Sequence, residues 1–469
     1  MKPDSVSSLV LKRDGAQPLY AALAEHIESQ IQSGELKVGD RLPAQREFAQ
    51  RLGLNLTTVT RAFRVLSRKG LIVSKAGRGS CVVVPVSGPE RTDYPSAPQP
   101  DMLDLTVNRP ATDAFLTVLP DILKFLPSDP RHATLQDYQP PEGASWLRSA
   151  LAGWLCATKG LGHVREEQIL VTSGAQHALD AILRSLCRPG DYILADAVTY
   201  QGVVGLCAMH HLRLVGVAMD DEGMMPDSLD AACRAERPKA IVLVPTLHNP
   251  TAITLSAERR QALVRVAEKH AIPIIEDDVY RDLHDDPGPS LASLAPAQTY
   301  YIGGFSKSIA PGMRTGFIVA PPDGAAAIAT ALRINNWCAN PLGMWIAAYL
   351  IESGLARDII RQQKAELAQR QALLTRMLGE FDLNTYHTST HAWLKLPARW
   401  STARFVVAAR RRGVAVLGSD LFTLEGADEA CPAVRLNVGA PRSQDALHKA
   451  LDILRATLKS GDALAAGAF

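Results

Sequence analysis

The amino-acid sequence predicts a small winged helix-turn-helix domain followed by a large α/β domain, with a mainly parallel sheet and helices on both faces. Two patterns lead to this fold class. Near the N-terminus, three helical segments precede two β-rich runs that flank a Gly-X-Gly tip. Further along, short apolar runs typical of buried strands alternate with helical segments. We place the winged domain at residues 1–84 and the α/β domain at 102–469, with a small C-terminal α+β subdomain. Residues 85–101 hold five prolines and hardly any apolar run, which predicts a semi-extended linker.

Size and composition indicate a globular protein of more than one domain. A chain of 469 residues exceeds one ordinary hydrophobic core. Its content of 47% hydrophobic and 21% charged residues is typical of soluble proteins. No apolar run approaches the ~20 residues of a membrane helix, and the N-terminus lacks a signal-peptide core. The seven cysteines show neither metal-type spacing nor a disulfide framework, which fits a reducing cytoplasm. From these observations together we expect a cytoplasmic protein with no metal site and no membrane partner.

Charge is unevenly distributed along the chain. Residues 1–85 contain 13 Lys/Arg and 7 Asp/Glu, a net charge of +6, whereas the remainder contains 37 basic and 41 acidic residues. A basic N-terminal part on a mildly acidic body favours a nucleic-acid-binding module. A merely solvated basic face would give the same net charge.

Three helices are predicted in the basic part. Apolar residues at a spacing of four predict the first, from residue 18 to about 33. The second is predicted from 44 to 52, where Gly53 ends it. The third runs from about 56 to 69, and a β-hairpin with a Gly-X-Gly tip follows it. Two short helices joined by a glycine-containing turn form a helix-turn-helix, and the hairpin is its wing.

The outer face of the third helix carries the predicted DNA contacts. We expect Arg61, with Thr57 or Thr58, to contact bases in the major groove. Arg78 at the hairpin tip can enter the minor groove, and Arg46 can contact a phosphate or a base edge. The alternative is a protein-binding winged helix whose arginines are merely solvated.

Motifs across the basic part resemble the GntR family of winged helix-turn-helix regulators. The resemblance rests on residues 39–49 (GDRLPAQREFA), 57–62 (TTVTRA), 70–72 (GLI) and 77–79 (GRG). The resemblance extends over nearly all of residues 18–84. The resemblance implies that the partner is a double-stranded DNA operator.

Six strands are predicted in the large domain, each followed by polar, glycine or proline residues. α/β sheets bind ligands at that end of their strands. The predicted strands are residues 169–171, 192–194, 240–244, 272–275, 300–302 and 317–319.

The segment between the last two strands contains Lys307 and Arg314, in a turn marked by Pro311 and two glycines. A lysine amine condenses with an aldehyde, and the planar fork of an arginine suits a phosphate. Pyridoxal 5′-phosphate carries both groups. The segment alone could be a surface loop, but a lysine between two core strands favours a functional role.

Three other strand ends supply candidate cofactor contacts. The first strand leads through residues 172–176 into a helix whose start suits a phosphate. Asn249 can donate to a phenolic oxygen, although Asn-Pro is also a frequent turn dipeptide. Asp277 can pair with a protonated pyridine nitrogen, and Tyr280 can bond the ring hydroxyl. The alternative for these acidic residues is a metal site or a helix cap. The phosphate turn contributes Ser173, Gly174, Ala175 and Gln176.

From about Leu105 to the last helix, the chain resembles the class I/II aminotransferases, which are pyridoxal-phosphate enzymes of fold type I. The resemblance rests on the order of Asn249, Asp277, Tyr280, Lys307 and Arg314 along the chain. The resemblance implies that Tyr138 reaches the cofactor phosphate of the partner subunit in a homodimer. It also implies that Tyr200 stacks on the ring, that Ser306 binds the phosphate and that Arg435 binds a substrate or effector carboxylate. Two positions depart from the family. Gly304 stands where a phosphate-binding hydroxyl is usual, and Ala252 follows the Asn-Pro-Thr motif where glycine is usual.

The combination of the two domains resembles the MocR subfamily of bacterial regulators. In that family the aminotransferase-like domain mainly senses a ligand, so the resemblance implies a small amine or amino-acid effector that acts through an aldimine at Lys307, or pyridoxal phosphate itself as the sensed molecule. The alternatives are an active aminotransferase carrying a DNA-binding module and a cofactor-free dimerisation domain. The last is disfavoured because Lys307 and Asp277 would be buried charges.

Overall fold

The computed structural model describes residues 19–32, 36, 41–68, 71–75, 79–82, 102–158, 160–424 and 431–460. The chain divides into two compact units, residues 1–92 and 93–469. The predicted linker at 85–101 and the predicted minor-groove contact Arg78 lie outside the described residues.

In its described residues, the N-terminal unit has three helices and a three-stranded sheet in the order β1-β3-β2. Its elements are α1 (Leu19–Gln32), β1 (Arg41–Leu42), α2 (Gln45–Leu52), α3 (Leu56–Arg68), β2 (Ile72–Lys75) and β3 (Gly79–Val82). The predicted helices and hairpin are thus present. No strand was predicted at β1, which pairs antiparallel with β3 and completes the small sheet.

A compact apolar core holds the N-terminal unit together. Leu23 and Ile27 of α1 meet Phe63 and Leu66 of α3, all 1% exposed or less. The ring of Phe48 in α2 meets the ring of Phe63 edge-on, with centroids 5.5 Å apart. The buried stripe of α3 turns its opposite stripe to solvent, and that stripe carries two of the predicted DNA contacts, Thr57 and Arg61.

The larger unit is an α/β domain around a seven-stranded sheet in the order β5-β13-β12-β11-β10-β6-β7. Only β13 runs antiparallel to its neighbours. The elements of its first half are β4 (Leu103–Asp104), α4 (Ala114–Phe125), α5 (Ser145–Thr158), β5 (Ile169–Thr172), α6 (Ala175–Leu186), β6 (Tyr192–Asp196), α7 (Gln201–Met209), β7 (Arg213–Val217), β8 (Met219–Asp220), β9 (Gly223–Met224), α8 (Pro226–Glu236), β10 (Ala240–Leu243), α9 (Ala257–His270) and β11 (Ile274–Asp277).

The second half of the unit completes this sheet and adds a smaller one. Its elements are α10 (Leu291–Leu294), β12 (Thr299–Gly304), β13 (Gly316–Val319), α11 (Ala325–Asn336), α12 (Pro341–Glu352), α13 (Leu355–Leu378), β14 (Leu383–Thr385), β15 (His391–Lys395), α14 (Thr402–Arg411), β16 (Val414–Ala415), β17 (Leu417–Gly418), β18 (Ala433–Asn437) and α15 (Gln444–Ser460). The smaller sheet has the order β14-β15-β18-β17, and with α14 and α15 it forms the predicted C-terminal α+β subdomain.

The large sheet is covered on both faces. Ile302 of β12 and Ile318 of β13 belong to the core on one side, whereas their neighbours Tyr301 and Phe317 belong to the core on the other. This alternation follows from the two-residue period of a strand. Strands buried on both faces are mostly apolar runs, which is why all six were predictable.

The seventh strand, β7, was not predicted. It lies at the edge of the sheet, and its first four residues are only partly buried or exposed. The predicted strand at 272–275 begins two residues later, at Ile274, because Pro273 has no N–H to donate to the sheet. Among the described residues, no helix is long and apolar enough to cross a membrane.

Candidate cofactor site

A cavity of about 250 Å³ lies at the carboxyl ends of the parallel strands β10 and β11 and of β12. Adjacent parallel strands end at one edge of a sheet, so side chains just beyond them converge. The cavity is lined by Val107, Asn108, Ala175, Gln176, Leu179, Tyr200, Val244, Asn249, Asp277, Val279, Tyr280, Gly304, Ser306, Lys307, Arg314 and Arg435. Most of the cofactor contacts predicted from sequence are therefore brought together.

Lys307 lies in the turn after β12, and its Nζ donates a hydrogen bond to the carbonyl oxygen of Asn108 at 2.8 Å. Burial lowers the pKa of Lys307 to about 8, and the positive charges of Arg435 and Arg314 add to this effect, while Asp277 opposes it. An amine with this pKa is unprotonated in roughly a tenth of molecules at pH 7, a far larger share than for an ordinary lysine. Lys307 is therefore suited to act as a nucleophile toward an aldehyde.

Asp277 is the last residue of β11 and is 7% exposed. Burial raises its pKa to about 6, and Asp278 adds to this effect, while the N–H of Val279 and the charge of Lys307 oppose it. In the described part of the chain, Asp277 Oδ1 has no hydrogen-bond partner. A buried carboxylate oxygen of this kind fits a cationic N–H donor such as a protonated pyridine nitrogen.

Arg435 enters the cavity from β18 of the smaller sheet and is 1% exposed. Its Nη1 donates to Asn249 Oδ1 at 2.7 Å, and its Nη2 donates to the carbonyl oxygen of Thr106 at 2.6 Å. The guanidinium also lies over the ring of Phe422, with 5.1 Å from Cζ to the ring centroid. These contacts hold the Arg435 guanidinium in place at the cavity wall.

Asn108 is the main cavity residue that sequence analysis missed. It follows β4, and its Nδ2 donates to the hydroxyl oxygen of Tyr280 at 2.8 Å. Its Oδ1 accepts from Thr390 Oγ1 at 2.8 Å. The only sequence signal was an asparagine directly after the short segment Leu105-Thr106-Val107.

The phosphate end of the predicted site is formed by the start of α6 and by Arg314. Gly174 has φ 94°, and a Cβ there would lie 2.9 Å from Arg314 Nη2. That same nitrogen donates to the carbonyl oxygen of Ser173 at 2.9 Å. The first N–H groups of α6 and the Arg314 guanidinium thus form one positively polarised edge, which suits a phosphate.

Ser173 and Gly174 do not line the cavity, unlike Ala175 and Gln176. The side chain of Ser173 is turned away, since its Oγ accepts from Asn336 Nδ2 at 3.0 Å. Its N–H donates to His177 Nδ1 at 3.0 Å. Their predicted contact with the phosphate stays a prediction.

Tyr200 and Gln176 form another wall of the cavity. Gln176 Nε2 donates to the carbonyl oxygen of Gly202 at 3.1 Å, and both side chains lie where a Cβ on Gly202 would be. Glycine is therefore needed at this position for the two side chains to pack there. The Tyr200 ring is placed at the cavity wall, where stacking on a cofactor ring was predicted.

Tyr138 lies on the surface and is 84% exposed. Its ring packs against that of Trp337, with centroids 5.4 Å apart, and it does not line the cavity of its own chain. Its predicted role in the site of a partner subunit stays a prediction.

The two departures from the family pattern have local consequences. Gly304 lines the cavity, so no hydroxyl is present at that point of the wall. A Cβ on Gly304 would lie 3.3 Å from Gly316 Cα and from the carbonyl oxygen of Thr315. Ala252 has φ 60°, the left-handed conformation that favours glycine, which gives a physical reason for the usual glycine there.

In the N-terminal unit, Thr57, Arg61 and Arg46 are exposed, and Thr58 is partly buried. Arg61 lies over the ring of Tyr20, with 5.4 Å from Cζ to the ring centroid. Three of the four described DNA-contact candidates are therefore freely accessible.

Comparison with known proteins defines the class of each unit. Residues 100–454 match the family model "Aminotransferase class I and II", and residues 19–82 match "Bacterial regulatory proteins, gntR family". The kynurenine aminotransferase of Pyrococcus horikoshii, solved with PMP, is similar in structure with a TM-score of 0.71 and 25% identity over 76% of this chain and 91% of that one. The larger unit is a class I/II aminotransferase domain of fold type I, and the N-terminal unit is a GntR-type DNA-binding domain.

Relatives that share both units place the chain in a family. The HTH-type transcriptional regulator YdeF of Bacillus subtilis is 31% identical over 94% of this chain and 95% of its own length. The probable rhizopine catabolism regulatory protein MocR of Rhizobium meliloti is 28% identical over 80% of each chain. The chain belongs to the MocR-type transcriptional regulators, in which a GntR domain is fused to an aminotransferase domain.

The family and the donor set of the cavity identify pyridoxal 5′-phosphate as the cofactor. Lys307 offers an amine for its aldehyde, and Asp277 offers a buried oxygen for its ring nitrogen. Arg314, Ser306 and the start of α6 would hold its phosphate. In the described ranges, no group of three or more His, Cys, Asp or Glu could hold a metal ion.

Proposed function

We propose that the protein is a pyridoxal-phosphate-dependent transcriptional regulator whose larger unit senses an amine or amino acid at Lys307. One observation carries the proposal. The partly buried Lys307 and the buried Arg435 face one cavity, in a chain that also carries a GntR-type domain. When bound, pyridoxal phosphate supplies an aldehyde that can exchange one amine partner for another.

Three cavity residues have separate roles in this proposal. Lys307 holds the cofactor through an amine that burial keeps partly unprotonated. Asp277 keeps a negative charge beside the ring nitrogen. Arg435 offers a fixed guanidinium for a ligand carboxylate, since Asn249 holds one arm of its fork at 2.7 Å. A ligand that engages both Lys307 and Arg435 would be an amino acid, whereas a simple amine would engage only the first.

The regulator would act as a homodimer in the cytoplasm. Two winged domains in one dimer would recognise two half-sites of a double-stranded DNA operator. Pyridoxal phosphate itself is a second candidate for the sensed molecule, because its binding alone would release the bond from Lys307 to Asn108.

The alternative is an active aminotransferase that carries a DNA-binding module. Residues for the chemistry line the cavity, and the 2-aminoadipate transaminase of Thermus thermophilus is 28% identical over 62% of this chain and 74% of its own length. Steady turnover of an amino acid with a 2-oxoacid would favour this alternative. A response to amines that stops after one equivalent would favour the sensor.

The test is an absorbance titration of the purified protein with amines and amino acids, followed by DNA binding with and without the most effective compound. We expect a visible cofactor band that changes with the ligand, and DNA affinity that changes at the same ligand concentration. Lys307→Ala should abolish the band. The matched control Lys364→Ala, at a lysine that pairs with Asp285 outside the cavity, should keep it. A band that persists in Lys307→Ala would contradict the assignment of the lysine.

A further inference from the structure

We propose that Asn108 is a positioning residue that orients the hydroxyl of Tyr280 as a donor into the cavity and, before the cofactor binds, holds the amine of Lys307. The inference rests on the proposed function in one respect, since it concerns how the chain's own groups face pyridoxal phosphate. No motif predicted a role for Asn108. Its contacts carry the argument.

A buried histidine, His391 of β15, sets the donor and acceptor directions of the hydrogen bonds around Asn108. Its Nε2 lies 3.0 Å from the carbonyl oxygen of His248. Because a carbonyl oxygen can only accept, Nε2 carries the ring proton and donates it. Burial lowers the pKa of His391 to about 3, with Arg435 adding to this effect, so the ring is neutral. A neutral ring with its proton on Nε2 has an unprotonated Nδ1, which can only accept.

The acceptor at His391 Nδ1 fixes the orientation of the Asn108 amide. Asn108 Nδ2 lies 3.4 Å from this Nδ1, and Asn108 Oδ1 lies 2.8 Å from Thr390 Oγ1. If the amide were turned over, Thr390 Oγ1, which also lies 3.2 Å from His391 Nδ1, could give its proton to that nitrogen. The Asn108 oxygen would still face Nδ1 at 3.4 Å, and two acceptors would oppose each other. The NH₂ end of Asn108 therefore faces His391 and Tyr280.

The fixed amide then determines the role of the Tyr280 hydroxyl. An NH₂ group only donates, so the Tyr280 oxygen accepts at 2.8 Å. The phenolic proton must therefore point away from Asn108. Tyr280 lines the cavity, and a proton directed there can be donated to the ring oxygen of the cofactor.

The backbone of Asn108 contacts Lys307, the other cavity residue in the proposal. Its carbonyl oxygen accepts from Lys307 Nζ at 2.8 Å. The side-chain bonds to Thr390 and Tyr280 fix the position of this carbonyl. One residue thus sets the geometry of the amine and the direction of the phenolic proton.

Asn108→Asp is the sharpest test, because it keeps the shape of the side chain but replaces the donor by an acceptor. Tyr280 would then donate to the new carboxylate, and a negative charge would lie close to Lys307. Both changes favour the protonated form of the lysine–cofactor chromophore. We expect the midpoint of its absorbance–pH titration to rise by about one pH unit or more. Asn108→Ala should raise it less.

A double-mutant cycle separates the phenolic proton from the added charge. Tyr280→Phe should itself raise the midpoint, and Asn108→Asp on that background should raise it by clearly less than in the wild type. Thr390→Val, which removes only the hydroxyl that holds Asn108 Oδ1, should give a smaller shift in the same direction and serves if Asn108→Asp does not fold. The matched control Asn335→Ala, at an exposed asparagine bonded to Asp180 outside the cavity, should leave the midpoint unchanged.

Two results would overturn the inference. One is an unchanged midpoint in Asn108→Asp. The other is an equal shift with and without the Tyr280 hydroxyl, which would leave only a charge effect. Failure of the proposed function looks different, because the wild type itself would show no cofactor band. In that case the same cycle, Asn108→Ala with Tyr280→Phe, is measured by urea unfolding of the cofactor-free protein. Coupling between the two changes would support the contact, and additivity would overturn it.

Discussion

Arg435 Nη1 donates to Asn249 Oδ1 at 2.7 Å, joining the smaller sheet to the turn that follows β10. The two residues come from motifs 186 positions apart in the chain. Because the oxygen end of the Asn249 amide faces Arg435, the NH₂ end faces another direction. That end is the donor expected for the phenolic oxygen of the cofactor, so one hydrogen bond orients both the carboxylate-binding fork and the ring-binding amide.

The first prediction concerns Arg435. Arg435→Lys should keep the visible cofactor band but lose most of the spectral response to amino acids, because lysine cannot offer two parallel donors. The response to simple amines without a carboxylate should remain. The control Arg455→Lys, at a surface arginine paired with Glu380, should respond like the wild type. Equal responses to amino acids in Arg435→Lys and in the wild type would remove Arg435 from the ligand site.

The second prediction concerns the stability of the cofactor-free protein. Burial raises the pKa of Asp277 to about 6 in the folded state from 3.8 in the free side chain. The Asp277 carboxyl therefore binds a proton more tightly in the folded state than in the unfolded chain. Its contribution to stability is fully present below about pH 4 and is lost as the pH rises through about 6.

Asp277→Asn should consequently raise the free energy of unfolding at pH 8, by up to about 3 kcal/mol, and change it little at pH 4. The same variant should bind pyridoxal phosphate more weakly, since the ring nitrogen loses its charge partner. Urea unfolding at both pH values and a cofactor titration check the two effects. The exposed Asp323→Asn serves as the control. A pH-independent effect of Asp277→Asn would show that this carboxyl titrates normally.

The third prediction concerns the close approach of β13 to the start of α6. A Cβ on Gly316 would lie 2.7 Å from the carbonyl carbon of Gly174 and 3.0 Å from Ala175 N, and backbone atoms cannot move aside cheaply. Gly316→Ala should therefore destabilise the protein by about 1–3 kcal/mol and weaken the binding of free phosphate and of the cofactor. Gly312→Ala, where a Cβ meets nothing within 4 Å, is the matched control. Equal behaviour of the two variants would contradict the packing argument.

The fourth prediction concerns DNA. Arg61 is exposed on α3, and Arg61→Ala should cost about 1–3 kcal/mol of operator binding while relaxing specificity at one base position. Binding to a set of operator variants at several salt concentrations distinguishes this from a phosphate contact, which would weaken all sequences alike and reduce the salt slope. The control is Arg51→Ala, whose side chain pairs with Glu47 on α2. If changes at Arg61 and Arg46 both leave DNA affinity intact, the helix does not lie in the major groove as proposed.

The fifth prediction concerns the partner subunit. If Tyr138 reaches the cofactor phosphate of a second chain, Tyr138→Phe should weaken cofactor binding although this residue does not line the cavity of its own chain. Sedimentation should show a dimer for wild type and variant alike. The exposed Val407→Ala is a control outside the cavity. A monomer that binds the cofactor with full affinity would refute the prediction.

Sequence patterns were sufficient for the sheet and for most of the cavity wall, for a physical reason. Central strands are mostly apolar runs, and polar residues at or just beyond their ends, such as Asp277 and Lys307, must converge at one edge. The edge strand β7 gave no such run, since its first four residues are not fully buried. The direction of Ser173 was equally unpredictable, because it depends on His177 and Asn336, which meet it only in the folded chain.

Contacts made by backbone carbonyls were also outside the reach of the sequence. Thr106 and Asn108 accept from Arg435 and Lys307 through main-chain oxygens, which every residue type possesses. No residue pattern marks such an acceptor. Only the path of the chain brings it to the cavity.

That path limits where the larger unit can be cut. Residues 103–109 precede every other element of the larger unit, and they include the strand β4, which pairs with β16 far along the chain. Their carbonyl oxygens at Thr106 and Asn108 hold Arg435 and Lys307. A fragment that starts at residue 102 keeps these acceptors, whereas one that starts at residue 111 would leave two buried cations without them. Truncation for isolated study of the cofactor site must therefore begin upstream of β4, even though no residue of that strand touches the cavity.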